Sequence, residues 1–165
     1  MQIPDAEQLL ATLAEQIRPL LDDNIALVGI HSGGAWLAER LQTMLRGDIP
    51  LGVLDISFYR DDFGRIGLHP QIKPTQIPFE VEGRHIILVD DVLYTGRTIR
   101  GAMNELFDYG RPAKITLAVL VDRGGREMPV EAQLVGARLD LAPQQSLELQ
   151  KTADGTFHLQ LHEAT

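Results

Sequence analysis

The chain has 165 residues, enough for one domain with a self-sufficient core. It contains no cysteine, which excludes disulfides and thiolate metal sites and suits a reducing compartment. Its formal net charge of −8 argues against general affinity for nucleic acid and means that any anionic ligand must be held by local groups.

In chain order, Leu9, Leu10, Leu13, Ile17, Leu20 and Leu21 recur at helical spacing behind Asp5, so residues 5–21 are expected to form a helix with Asp5 as its N-cap. Residues 25–30 read as a short buried strand, 31–34 as a turn, 35–45 as a helix, and 51–58 as a second strand. Residues 59–84 hold scattered Gly and Pro with weak periodicity, which suits a flexible loop or a β-arm. Residues 85–90 are a continuous apolar run ending in Asp90, the pattern of a strand covered on both faces. Thr95-Gly96 marks a turn, and 97–109 a helix stopped by Gly110 and Pro112. Residues 114–121 are another buried strand, and strand-like pieces follow near 134–135, 147–149 and 157–161. The N-terminus lacks the basic start of a secretion signal, and no apolar run reaches the ~18 residues of a membrane span. A soluble, cytoplasmic protein with no membrane partner is the expectation.

Alternating buried strands and amphipathic helices predict an α/β fold, an open and mostly parallel sheet flanked by helices. Ligands of such sheets bind beyond the carboxyl ends of the strands. Three loops belong there: 31–34, 90–98 and 122–126, all rich in glycine or charge.

Of these, 90–98 carries the most chemistry. Gly96 allows a tight turn, and the helix after it begins with unbonded N–H groups that favour an anion. Thr95 and Thr98 add hydroxyls, and Arg97 or Arg100 adds charge. Asp90 and Asp91 would repel a phosphate unless they serve hydroxyls, a metal ion or developing positive charge, all of which a ribosyl transfer supplies. The chain has neither G-x-x-x-x-G-K-[ST] nor G-x-G-x-x-G, which removes the main support for nucleotide hydrolysis or dinucleotide binding. His85, His158 and His162 are not read as a zinc site. A phosphoacceptor domain would place an acidic pair at the end of the first strand, where His31-Ser32 stands instead.

The segment Ile86-Ile87-Leu88-Val89-Asp90-Asp91-Val92-Leu93-Tyr94-Thr95-Gly96-Arg97-Thr98 resembles the phosphoribosyl-diphosphate motif of type I phosphoribosyltransferases. Together with Asp55-Ile56-Ser57-Phe58-Tyr59-Arg60-Asp61-Asp62, Asp108-Tyr109-Gly110-Arg111-Pro112 and Leu120-Val121-Asp122-Arg123-Gly124, it looks like the PyrR family, over residues 25–136. The resemblance implies a single type I phosphoribosyltransferase domain over 1–165, with a mobile loop near 59–84 and a C-terminal segment near 130–165 completing the base-binding side. It implies a magnesium-dependent uracil phosphoribosyltransferase, forming UMP and diphosphate from uracil and phosphoribosyl diphosphate, with a regulatory role in pyrimidine synthesis. In some members regulation works through pyr-operon leader RNA. A homodimer or higher homo-oligomer is also implied.

By the same resemblance, Asp90 and Asp91 hold the ribose hydroxyls and approach Mg²⁺ through water or ligand. Val92, Leu93, Tyr94, Thr95, Gly96, Arg97 and Thr98 form the 5′-phosphate loop. His31, Ser32, Gly33 and Gly34 line the diphosphate. Tyr59, Arg60, Asp61 and Asp62 begin the mobile loop, and Val121, Asp122 and Arg123 lie at the base side. Two departures stand out. Gly33 replaces a basic residue of well-known relatives, and the basic face of the RNA-binding relatives is reduced here, with Glu15, Glu131 and Ala137 nearby and Arg126 retained. A catalytically weak regulator sensing UMP or phosphoribosyl diphosphate, acting through RNA or a protein, is the alternative expectation.

Overall fold

The computed structural model describes residues 2–56 and 75–164 of the chain. The expected strand end at 57–58 and the loop residues Tyr59, Arg60, Asp61 and Asp62 lie outside the described residues.

Helix α1 (Ala6–Ile17) starts where Asp5 caps it, its carboxylate accepting the Glu7 N–H at 3.0 Å. Pro19 then tightens the chain into a short 3-10 turn, Arg18–Leu20, so the apolar run to Leu21 is not one helix. Strand β1 (Ile25–Ile30) is buried along its whole length. Helix α2 (Gly33–Leu45) begins two residues earlier than the apolar pattern suggests, because both glycines enter its first turn. Strand β2 spans Leu51–Leu54, and Asp55 and Ile56, expected within it, lie beyond its end.

Strand β3 (His85–Leu93) runs three residues past Asp90. An acidic pair reads as a strand end, but pairing decides otherwise. Beyond Val89 the strand loses β1 and keeps its other neighbour, with Asp90 opposite Val119, Val92 opposite Val121 and Leu93 opposite Asp122. Helix α3 (Arg97–Phe107) follows Gly96, whose φ of +93° only glycine adopts freely. Strand β4 (Lys114–Asp122) and strand β5 (Leu134–Arg138) complete a parallel five-stranded sheet ordered β2-β1-β3-β4-β5. Strands β6 (Gln145–Lys151) and β7 (Phe157–Glu163) form a separate antiparallel hairpin.

Two apolar layers cover the sheet. On one face α1, α2 and hairpin residues Leu149 and Phe157 pack on Leu27, Ile87, Val89 and Leu120. On the other, Ile99, Ala102 and Leu106 of α3 pack on Val28, Leu88 and Val119. No helix among the described residues is long and apolar enough to cross a membrane.

The strand order reverses direction between β1 and β3. Chain crossings leave β1 toward β2 on one side and lead from β3 to β4 on the other, which opens a crevice at the carboxyl ends of β1 and β3. The loops 31–34 and 90–98 leave the sheet at that point.

Candidate active site

The loop before α2 can sit against β3 because it is glycine. A Cβ on Gly34 would lie 3.0 Å from the Asp90 Cα, and one on Gly29 would lie 2.6 Å from the Ala35 Cα. Side chains at either place would push the first turn of α2 off the sheet. Close approach brings Ser32 and Gly33 to the same cleft as Asp90 and Asp91.

That cleft has a volume of about 530 Å³. Asp90 is 7% exposed, and its Oδ1 accepts the Asp91 N–H at 2.8 Å. Asp91 Oδ1 accepts the Val92 N–H at 2.8 Å, while Oδ2 faces Gly33. The Asp91 carboxylate therefore fills the space that any side chain at position 33 would need: a Cβ there would stand 2.9 Å from the Asp91 Cγ.

Beside the cleft lies a hollow of about 60 Å³, lined by residues 92–96 and Thr98 of the loop together with Asp90 and Ile99. Thr95 is buried, and its hydroxyl accepts the Arg97 N–H at 3.2 Å at the start of α3. The Arg97 side chain turns elsewhere. Half-exposed, it pairs with Glu127 at 3.0 Å and lines neither the cleft nor the hollow.

The 122–126 loop is locked onto the 90–98 loop. Thr95 C=O accepts the N–H groups of Glu127 and Met128, both at 2.9 Å. Arg126 donates to the carbonyls of Tyr94 (2.7 Å) and Val130 (2.8 Å) and pairs with Asp122 at 2.7 Å. Burial pushes the Asp122 carboxyl up, but the Gly124 N–H, the Arg126 hydrogen bond and the charges of Arg126 and Arg138 outweigh it, so its pKa is lowered. Gly125 passes under the Tyr94 ring, where a Cβ would come within 2.9 Å of Cδ1. Arg123 also stacks on Tyr94, its Cζ 3.9 Å from the ring centre.

Of the residues expected at a site, Ser32, Gly33, Asp90, Asp91, Val92, Tyr94, Thr98 and Arg123 line one cleft. His31, Gly34, Val121 and Asp122 do not line it. The reading of single residues missed Trp36 and the hairpin wall, Ser146, Leu147, Glu148 and Leu149. The alternation of Leu147 and Leu149 marked a strand, but nothing local says that this strand returns to the mouth of β3.

The comparisons agree with this geometry. Residues 1–141 match the phosphoribosyl transferase domain family. The chain is 60% identical over 139 residues to the bifunctional protein PyrR of Nitrosococcus oceani, covering 83% of this chain and 76% of that one. It is 46% identical to that of Pseudomonas fluorescens, over 97% of this chain and 98% of that one. Among solved structures, a purine phosphoribosyltransferase from Pyrococcus horikoshii superposes with a TM-score of 0.61 at 28% identity, over 81% of each chain. A hypoxanthine-guanine phosphoribosyltransferase from Bacillus anthracis superposes at 0.66 and 20% identity, over 85% of this chain and 84% of that one, and speaks for the fold. With the strand reversal, the glycine-permitted loop contact and the acidic pair before a helix N-terminus all on one sheet edge, the chain belongs to the PyrR family of type I phosphoribosyltransferases.

Proposed function

We propose that the cleft binds phosphoribosyl diphosphate with magnesium and transfers its ribosyl phosphate to uracil, releasing diphosphate and forming UMP, in a protein that also regulates pyrimidine synthesis. One observation carries this: Ser32, Gly33, Asp90, Asp91 and Thr98 converge on a single cleft at the β1/β3 reversal, beside a phosphate-sized hollow.

On this reading the 92–98 loop and the first turn of α3 take the 5′-phosphate. Asp90 and Asp91 take the ribose hydroxyls, and Ser32 and Gly33, backed by His31 and Gly34, run along the diphosphate. Val121, Asp122 and Arg123 with the hairpin close the base side. As the C1′–O bond to diphosphate breaks, uracil N1 bonds to C1′, and the N1 proton passes to diphosphate or water. The carboxylates beside the ribose stabilise the positive charge that develops there.

The donor set suits magnesium. Asp90 and Asp91 stand side by side in the cleft, whose hairpin wall adds Glu148, and no cluster of three or more His, Asp or Glu able to hold a metal occurs among the described residues. That is the environment of an ion that arrives largely hydrated on substrate phosphates rather than one caged by protein. Asp90 and Asp91 would hold it through water or ligand, and when bound it offsets the charge of the leaving diphosphate.

Calorimetry with phosphoribosyl diphosphate, with magnesium and with EDTA, followed by a uracil-to-UMP assay on the same sample, tests the reading. Magnesium-dependent binding with turnover is expected; absence of binding overturns it. Asp90→Asn with Asp91→Asn should lower kcat by about 100-fold or more while the unfolding midpoint moves little. Unchanged kinetics would remove these roles.

A second reading, a weakly catalytic sensor of phosphoribosyl diphosphate or UMP, is favoured by one feature. The Asp91 carboxylate lies against Gly33, so the diphosphate loop carries negative charge where well-known relatives carry positive. Binding without turnover is its signature. A homodimer or higher oligomer remains part of both readings and is tested by light scattering.

A further inference from the structure

The walls of the cleft carry the wrong sign for a polyphosphate. Asp90, Asp91 and Glu148 line it, and Arg123 is the only Lys or Arg among the described residues that do. Arg123 is committed to Tyr94 and to the Ala142 carbonyl. Where the 31–34 loop meets the cleft, the Asp91 carboxylate lies against Gly33 and adds further negative charge. A phosphoribosyl diphosphate carries its diphosphate charge on top of that of the 5′-phosphate. One hydrated magnesium and the N–H groups that open α2 offset part of it. A further cation is wanted beside the 31–34 loop.

The hairpin holds one. Trp36, about one helical turn after Gly33 on α2, lines both the cleft and a neighbouring hollow of about 240 Å³. Lys151 of β6 lines that hollow, its Nζ 4.9 Å over the Trp36 ring centre. No carboxylate pairs with it among the described residues, although Glu39 and Asp154 line the same hollow. Asp154 is turned to its own loop, accepting the Thr152 hydroxyl and the Thr156 N–H. The other cation of the hollow, Arg40, is held by Glu7, the Gly155 carbonyl and the Phe157 ring. An ammonium resting on an exposed ring is weakly held, and its four-carbon stem is flexible. Resting on the phosphoribosyl transfer reading, we propose that Lys151 is the counter-charge of the diphosphate, supplied by the C-terminal hairpin: its ammonium leaves the face of Trp36 and donates to a diphosphate oxygen. Trp36 is then a positioning residue, keeping the ammonium beside the 31–34 loop until the anion arrives. The charge absent at Gly33 comes from another element, and diphosphate binding is tied to the hairpin that walls the cleft.

The test uses the full-length protein, Lys151→Met and Lys151→Arg. Calorimetry with magnesium measures phosphoribosyl diphosphate, inorganic diphosphate and UMP, which has the 5′-phosphate and the base but no diphosphate. In Lys151→Met, which keeps an apolar stem against Trp36, Kd for phosphoribosyl diphosphate and for diphosphate should rise by about 10-fold or more, as expected for a lost hydrogen bond between charged groups. Kd for UMP and KM for uracil should stay as in the parent. Lys151→Arg, which keeps the charge, should recover most of the loss. Diphosphate with magnesium should also change the emission of Trp36 in the parent, as the ammonium leaves the ring, and leave it unchanged in Lys151→Met. Unchanged Kd for phosphoribosyl diphosphate and diphosphate in Lys151→Met overturns the assignment and leaves the transfer reading standing. An equal weakening of UMP assigns Lys151 to holding the hairpin in place and also overturns it. If the parent protein binds no phosphoribosyl diphosphate, the transfer reading falls and this inference with it.

Discussion

At the scale of single residues, Gly33 and Asp91 act as one unit. Asp91 Oδ2 faces the Gly33 backbone, and Oδ1 accepts the Val92 N–H. A methyl group at position 33 must therefore drive Asp91 out of this rotamer and break that bond. Gly33→Ala should cost about 1–3 kcal/mol of stability, the usual range for overpacking, and should weaken phosphoribosyl diphosphate binding. In an Asp91→Ala background the stability cost should nearly vanish, because the obstructing carboxylate is gone. Urea denaturation of the four proteins in this cycle measures the coupling; additive effects would show that the two residues are independent. The same contact means that an arginine placed at Gly33 does not simply restore a missing charge, since Asp91 must move first. Sequence alone located both residues, because glycine turns and paired acids leave local patterns. Their contact was not legible, since it joins loops from two strands that become neighbours only in the folded sheet. Nor could spacing separate Arg123 from Arg126. They differ in which carbonyls they reach, and those come from Ala142, Tyr94 and Val130.

Among the elements, β1, β4 and α3 were legible within two residues, because continuous apolar runs and flanking glycines mark them. The C-terminal hairpin was visible in the sequence as strand-like pieces; the resemblance put the segment near 130–165 at the base side, but not which of its residues line the cleft. Besides the buried Leu149 and Phe157, the hairpin has a polar anchor. Glu7 of α1 accepts the Phe157 N–H at 2.9 Å and pairs with Arg40 of α2, and Arg40 lies 4.8 Å over the Phe157 ring. Burial raises the Glu7 carboxyl, but the hydrogen bonds from Arg40 and Phe157 and the charges of Arg40 and His158 prevail, so its pKa falls below the usual 4.5. A lowered carboxylate pKa stabilises the folded state fully above 4.5, and that stabilisation is lost as pH falls through the folded value. Hairpin docking should therefore loosen in acid. The single tryptophan reports it, because Lys151 of β6 lies 4.9 Å over the Trp36 ring. Fluorescence should show a transition below pH 4.5 that Glu7→Gln removes, its signal at neutral pH already shifted toward the acid form. A Glu7→Gln titration superposing on the parent's would show that other groups control docking. Arg40→Met should reproduce the neutral-pH shift and raise the KM for uracil, since β6 carries one wall of the cleft.

At the scale of the whole molecule, a glutamine occupies a point on each sheet edge, and the net charge is negative. The Gln16 side chain bonds both the N–H and the C=O of Val135 on β5, each at 3.1 Å, and the Gln76 backbone does the same for Val53 on β2, at 2.8 Å. Neither edge offers a free ladder at those points to an added strand. What remains for a macromolecular partner is side-chain chemistry, and there the balance is −8. RNA binding by phosphate neutralisation needs several lysines or arginines on one face, and each neutralised phosphate steepens the loss of affinity with salt. The arginines with the clearest geometry here are already engaged: Arg18 with Glu15, Arg46 with Asp48, Arg97 with Glu127 and Arg126 with Asp122. Filter binding of a pyrimidine-operon leader RNA should therefore show no saturable complex below about 10 µM at ~0.15 M salt, with or without UMP. Any complex at low salt should have a log–log salt slope shallower than about −3, against about −5 to −9 for proteins that neutralise six to ten phosphates. A nanomolar complex tightened by UMP would mean that a local basic face outweighs the net charge. It would also locate regulation in RNA, and not in a protein partner or in the supply of UMP itself.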